Sequence, residues 1–133
     1  MKMVFISVQT WHGLISELIG MVGDRSFTGV FGVPRGGTLV AVSIASTLGI
    51  PLLSMPHKDC LVVDDLIDSG ATKKKYNGYA FEALIDKRTD DKYHGKWIDF
   101  WYEKKGEDDK DLVTRIAERL EVDLNDIVNE ICR

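Results

Sequence analysis

Between residues 28 and 65 the chain alternates twice between two incompatible hydrophobic periods, and this constrains its fold more than any other feature. The run TGVFGV (28–33) is compact and apolar, as a buried strand would be, and PRGG (34–37) breaks it. From Thr38 to Leu48 the segment is too long for an ordinary strand. Val40, Ile44 and Leu48 recur at intervals of four, and Gly49 and Pro51 follow, which predicts a helix with a glycine stop. Two further short apolar runs come next, IPLLSM and CLVVDD, separated only by PHKD. Strands alternating with helices imply an α/β fold whose sheet is mainly parallel and flanked by helices. In such sheets ligands bind beyond the carboxyl ends of the strands.

The flanks extend the pattern. Residues 2–8 read as a strand. Thr10 is placed to cap a helix whose apolar face is Leu14, Ile15, Leu18, Ile19 and Val22, ended by Gly23. Residues 79–85 form a weaker strand, DKRTDDKYHG a polar loop, and KWIDFWY (96–102) a clearly alternating strand. Beyond Asp108 the character changes. Leu112, Val113, Ile116, Ala117 and Leu120 fit one amphipathic helix, and Asp123 is placed to cap a second bearing Leu124, Ile127, Val128 and Ile131. At 133 residues the chain is expected to be one domain. The expected division is a main body over 1–105, including a small hood at 87–103, with C-terminal helices over 106–133 packed on it.

Composition excludes several classes of function. A formal net charge of −4 gives no reason to expect nucleic acid as the partner. The two cysteines, Cys60 and Cys132, provide neither a disulfide framework nor a metal-ligand spacing. No apolar stretch approaches membrane-span length, and the apolar stretch at the start is short for a signal peptide. The expectation is a cytoplasmic protein with small-molecule substrates, no nucleic acid and no membrane.

The chemistry concentrates in CLVVDDLIDSGAT (60–72). A hydrophobic strand runs into Asp64 and Asp65, and a third acid, Asp68, opens a turn of small residues. Asp64, Asp65 and Asp68 repel one another unless something positive or rich in hydroxyls binds there. A turn of small residues before a helix start presents backbone N–H groups, to which Ser69 and Thr72 add hydroxyls, and this suits phosphate. It lacks the Gly-x-x-x-x-Gly-Lys spacing of the nucleoside-triphosphate loop. Lys73, Lys74 and Lys75 add local positive charge. Asp64 and Asp65 can accept hydrogen bonds from the vicinal hydroxyls of a ribose, or help hold a hard cation such as Mg²⁺, directly or through water.

LVVDDLIDSGAT resembles the phosphoribosyl pyrophosphate (PRPP) signature of the type I phosphoribosyltransferases, and the acid that opens the loop resembles the purine branch. The resemblance implies ribose contacts for Asp64 and Asp65. It implies 5′-phosphate contacts for Asp68, Ser69, Gly70, Ala71 and Thr72, and a general acid or base role near the purine N7 for Asp68. GVPRGG resembles the family's pyrophosphate loop, which implies that Arg35, Gly36 and Gly37 hold pyrophosphate, often beside a cis peptide next to the Arg. KWIDFWYE resembles the late base-binding strand, with Trp97 and Ile98 on the base. FEALIDKR resembles a strand ending in a lysine, here Lys87, that donates to a 6-oxo group. An ammonium only donates, so it favours a 6-oxopurine over adenine.

The resemblance therefore implies Mg²⁺-dependent transfer from PRPP to guanine, xanthine or hypoxanthine, in a possible homodimer. It also shows a departure. Type I enzymes carry a long mobile loop before the acid strand, whereas LLSMPHKDCLVV leaves room only for a tight connection around Pro56, His57 and Lys58. The alternative reading is a non-catalytic protein that binds PRPP or a nucleotide and regulates. An acid-metal phosphatase is disfavoured, because adjacent Asp64 and Asp65 do not give the Asp-x-Asp nucleophile spacing.

Overall fold

A computed structural model describes residues 2–103. The expected C-terminal helices after residue 105 lie outside the described residues. Strand β1 (Met3–Ile6) leads into helix α1 (Val8–Val22), then strand β2 (Val30–Gly32) into helix α2 (Gly36–Leu48). Strand β3 (Leu61–Ile67) is followed by the short helix α3 (Ala71–Lys75) and strand β4 (Ala80–Asp86), and β5 (Trp97–Phe100) comes last. The polar stretch between β4 and β5 is turns, as expected.

Every strand pairing among the described residues is parallel. The main sheet has the order β2-β3-β4, while β1 pairs with β5 in a separate two-stranded sheet. The observed α/β architecture is thus the mainly parallel one that the alternation implied. The partner of β5 comes from the opposite end of the chain. That pairing depends on long-range contact, and no local pattern announces it.

Central strand β3 begins with Leu61, Val62 and Val63, all completely buried, because both faces of the sheet are covered. On one face, α2 packs over β2 and β3 while α1 packs against β4 and α2. Val22, Val40, Ala41, Ile44, Leu61 and Val63 meet there. On the other face, Phe31, Cys60, Val62, Ile67 and Phe81 form a smaller core against which Tyr76 packs. Cys60 is a buried small hydrophobe.

Three boundaries differ from the sequence reading, each for a local reason. Helix α1 starts earlier, because Ser7 rather than Thr10 is its cap: the Thr10 N–H donates to Ser7 Oγ at 3.1 Å. Helix α2 starts at Gly36 inside the PRGG break, with the Gly37 N–H donating to the Val33 carbonyl at 2.9 Å, and ends at left-handed Gly49. Strand β3 does not stop at the two acids. It continues to Ile67, held by Leu66 opposite Ile85 and Ile67 opposite Asp86. The run IPLLSM yields only an isolated bridge, Leu52 to Val30.

Candidate active site

Parallel β2 and β3 deliver their carboxyl ends side by side, and the site begins where they finish. Gly32 and Val63 are paired, and the Val33 N–H donates to the Val63 carbonyl at 2.8 Å, so the PRGG turn starts directly beside Asp64. The peptide joining Pro34 to Arg35 is cis, as the resemblance implied, and Arg35 is exposed. Gly36 and Gly37 open α2 with their backbone laid against β3. A methyl group on Gly37 would sit 2.6 Å from the Val63 carbonyl oxygen and 3.0 Å from Asp64 Cα, and one on Gly36 would overlap the Asp65 carboxylate. The lack of side chains at both positions lets the helix start approach the acids this closely.

Asp64 and Asp65 lie inside β3, partly buried. Asp64 Oδ1 accepts the Asp65 backbone N–H at 2.8 Å, and the paired register passes from Asp64 to Leu66. Burial, and then the neighbouring Asp65 charge, push the Asp64 carboxyl up to about 8. Burial and the neighbouring acid therefore favour the protonated form of Asp64 in the free protein. Asp65 Oδ2 in turn accepts the Tyr102 hydroxyl. Burial, and then the Asp65 charge, push that phenol far up, so it stays a neutral donor.

After Ile67 the chain turns through Asp68, Ser69 and Gly70. Gly70 has φ +92°, a left-handed conformation that favours glycine, and it sets the N–H groups of α3 at the turn. The Ala71 N–H donates to Ser69 Oγ at 3.3 Å. Residues 66–73 line a small cavity of about 100 Å³, so the segment expected to hold phosphate does form a concave loop. On its outer side Arg88 crosses Gly70, with Nη1 2.7 Å from where a Gly70 Cβ would lie. Arg88 is fixed by a fork on Asp86, at 3.0 Å and 2.9 Å, and its hydrogen bonds hold the Asp86 carboxyl below the usual range.

Strand β4 ends beside this loop. The Lys87 N–H donates to the Ile67 carbonyl at 3.0 Å, and Lys87 Nζ stands 3.2 Å from Asp68 Oδ1. The lysine side chain is only 13% exposed and the Asp68 side chain 74% exposed, so a sheltered cation is aimed at an accessible acid. His94 Nδ1 bonds the Lys87 carbonyl at 3.0 Å and fixes the backbone there.

The structure thus brings together Arg35, Gly36, Gly37, Asp64, Asp65, Asp68, Ser69, Gly70, Ala71, Thr72 and Lys87, drawn from three strand ends. Trp97 and Ile98 are placed differently. Ile98 is buried in the main core, so its side chain serves packing and only its backbone is left for a ligand. Trp97 opens β5 opposite Met3 and is 57% exposed. At about 3.3 Å per residue it starts roughly 10 Å before the strand's end. The side chain from this segment that reaches the acids is Tyr102. Sequence reasoning missed Tyr102 and Arg88, although they lie within KWIDFWYE and FEALIDKR, because only the tertiary fold brings them to Asp65 and Gly70.

The architecture is shared with known structures. A purine phosphoribosyltransferase from Pyrococcus horikoshii Ot3 superposes with a TM-score of 0.62 at 20% identity, covering 84% of this chain and 100% of that one. The chain has a type I phosphoribosyltransferase fold. A xanthine-guanine-hypoxanthine phosphoribosyltransferase from Helicobacter pylori gives 0.51 at 17% identity, over 75% of this chain and 91% of that one. No family model and no curated protein matches the sequence. No helix among the described residues is long and apolar enough to cross a membrane.

The phosphoribosyltransferase fold also frames the metal question. Among the described residues no group of three or more His, Cys, Asp or Glu side chains is placed to enclose a metal. Asp64 and Asp65 alone suit a hard cation that takes its remaining oxygens from substrate and water, which is how Mg²⁺ is commonly held. Their oxygen donors fit Mg²⁺.

Proposed function

We propose that the protein is a phosphoribosyltransferase that converts a 6-oxopurine (guanine, xanthine or hypoxanthine) and PRPP to the nucleoside monophosphate and pyrophosphate. One observation carries this reading: the acid pair, the Arg35-Gly36-Gly37 turn and the Lys87–Asp68 pair converge at the carboxyl end of one central strand. Pyrophosphate would lie on the glycine turn with Arg35 as its fixed cation, and the ribose hydroxyls on Asp64 and Asp65. The 5′-phosphate would lie in the loop from Asp68 to Thr72. Mg²⁺, held by the two acids, would neutralise the departing pyrophosphate.

Transfer breaks the bond from C1′ to pyrophosphate as positive charge develops on the ribose ring, so the protein contributes position and charge rather than a nucleophile. Asp68 is exposed where an incoming base can reach it, and its role is to hold or accept the base proton. Lys87, anchored by its backbone on Ile67, donates to the 6-oxo oxygen and keeps Asp68 oriented. Incubation with PRPP, Mg²⁺ and each base, with nucleotide and pyrophosphate measured, tests the reading; no product from any of the three refutes it.

A second reading, a non-catalytic PRPP or nucleotide sensor, is favoured by one specific feature. The connection over residues 53–60 leaves and returns at the same level of β2, since Leu52 and Leu61 both pair with Val30. It is tied there: the Thr28 N–H donates to the Asp59 carbonyl at 3.0 Å and Thr28 Oγ1 to the Lys58 carbonyl at 2.9 Å. That is the end of the sheet away from Asp64, so this loop does not cover the site, and water exclusion needs another source. Calorimetry showing tight nucleotide binding without turnover would select the sensor.

A further inference from the structure

Asp65 is a junction of three elements. It belongs to β3, its carboxylate fills the space left by Gly36 at the start of α2, and its Oδ2 accepts the hydroxyl of Tyr102, just past β5. The third contact spans 37 positions of sequence and joins the two sheets. The phenol is not a casual neighbour. Tyr102 is 1% exposed, its ring stacks on Phe100 at 5.4 Å between centroids, and Trp101 meets it edge-on at 5.4 Å. A ring held on two sides keeps its hydroxyl aimed at Asp65.

We propose that Tyr102 is a positioning residue for the ribose subsite: by fixing one oxygen of Asp65, it aims the other at a ligand hydroxyl. The proposal rests on the phosphoribosyltransferase reading of the site. A carboxylate has two oxygens and rotates about its last bond. With Oδ2 committed to a rigid donor, the rotation is stopped, and the carboxylate, which also meets the Asp64 side chain, presents its remaining acceptor capacity in one fixed direction. Preorganisation of this kind is realised only for ligands that bring a hydroxyl to Asp65. It gives PRPP an advantage that pyrophosphate, which has no sugar, does not share. A purely structural Tyr102 would show no such discrimination.

The experiment is a double-mutant cycle on the full chain with Tyr102→Phe, Asp65→Asn and the pair, titrating each by calorimetry with Mg²⁺-PRPP and with Mg²⁺-pyrophosphate. Tyr102→Phe keeps the ring contacts but frees the Asp65 carboxylate, which PRPP must then re-order, so PRPP affinity falls about tenfold while pyrophosphate affinity stays within about twofold. The double variant binds PRPP no more weakly than Asp65→Asn alone, because the hydroxyl acts through Asp65. Unchanged PRPP affinity in Tyr102→Phe overturns the assignment, and so does an equal loss for both ligands, the signature of a packing role. Additive losses in the double variant also overturn it. Wild-type protein that binds no PRPP refutes the proposed function and this assignment with it, whereas wild-type binding matched by the variant refutes the assignment alone.

Discussion

Two helical glycines that look alike in sequence should respond to alanine with opposite signs. Gly13 lies within α1, and a methyl group there meets nothing within 4 Å. Gly13→Ala should stabilise the fold by about 0.5–1 kcal/mol, because it removes unfolded-state freedom without new contacts. Gly37 lies in the first turn of α2, and its methyl group would stand 2.6 Å from the Val63 carbonyl oxygen and 3.0 Å from Asp64 Cα. Both obstacles are backbone of the central strand, which cannot rotate aside as a side chain can. Overpacking of this kind costs about 1–3 kcal/mol, against a helix-propensity gain of at most about 1 kcal/mol. The net expectation is a loss of about 1–2 kcal/mol, or a melting point lower by roughly 4–8 °C for a chain of this size. The displaced helix start should also weaken pyrophosphate binding. Urea unfolding of the two variants beside wild type, with the slope held in common, reads both signs. A Gly37→Ala protein as stable as Gly13→Ala, with pyrophosphate binding intact, would refute the close approach of α2 to the acids.

Other perturbations address the acids individually. Asp68→Asn should lower turnover by about 10²–10³-fold while PRPP affinity measured by calorimetry changes little, since the group serves the base proton; undiminished activity rejects the role. Lys87→Met should raise KM for the base about tenfold or more. Its melting point should move little, because the pair with a largely exposed Asp68 is worth less than about 1 kcal/mol. Stability should also depend on pH through Asp64. Its carboxyl is raised in the folded state, to about 8 from 3.8, so the folded protein binds the proton more tightly than the unfolded chain. That contribution is complete below about pH 4 and is lost as pH rises through 8. Melting points in steps from pH 5 to 9 should fall for wild type, and the slope should flatten in Asp64→Asn; parallel slopes would contradict the assignment. With the 53–60 connection tied down at Thr28, PRPP bound without a base should hydrolyse measurably to ribose 5-phosphate and pyrophosphate, which a pyrophosphate-release time course detects.

Where information was local, the sequence was enough. The four-residue spacing of Val40, Ile44 and Leu48 belongs to α2 itself, and the apolar run of Leu61 to Val63 needs only burial on both faces to become β3. The motif segments were legible for the same reason: a glycine turn and an acid turn at strand ends must come together once β2 and β3 pair in parallel. What escaped depends on distant partners. Whether Ser7 or Thr10 caps α1 turns on one hydrogen bond that either could make. The extension of β3 past its acids is decided by β4, which supplies Ile85 and Asp86 opposite Leu66 and Ile67. Alternation in KWIDFWY was visible, but only the pairing of β5 with β1 decides that Ile98 turns inward and Trp97 outward. Tyr102 lies beyond that strand and finds Asp65 through the tertiary fold alone.

The central claim is that this convergence of strand ends transfers a phosphoribosyl group, and one assay bears on it directly. Purified protein is incubated with PRPP and Mg²⁺, with guanine, xanthine or hypoxanthine, and nucleotide and pyrophosphate are quantified together over time. The account predicts nucleoside monophosphate, equimolar with the pyrophosphate formed above the base-free rate, with at least one of the three, abolished by Asp64→Asn with Asp65→Asn. Absence of nucleotide with all three bases, from protein that binds PRPP in calorimetry, would contradict it.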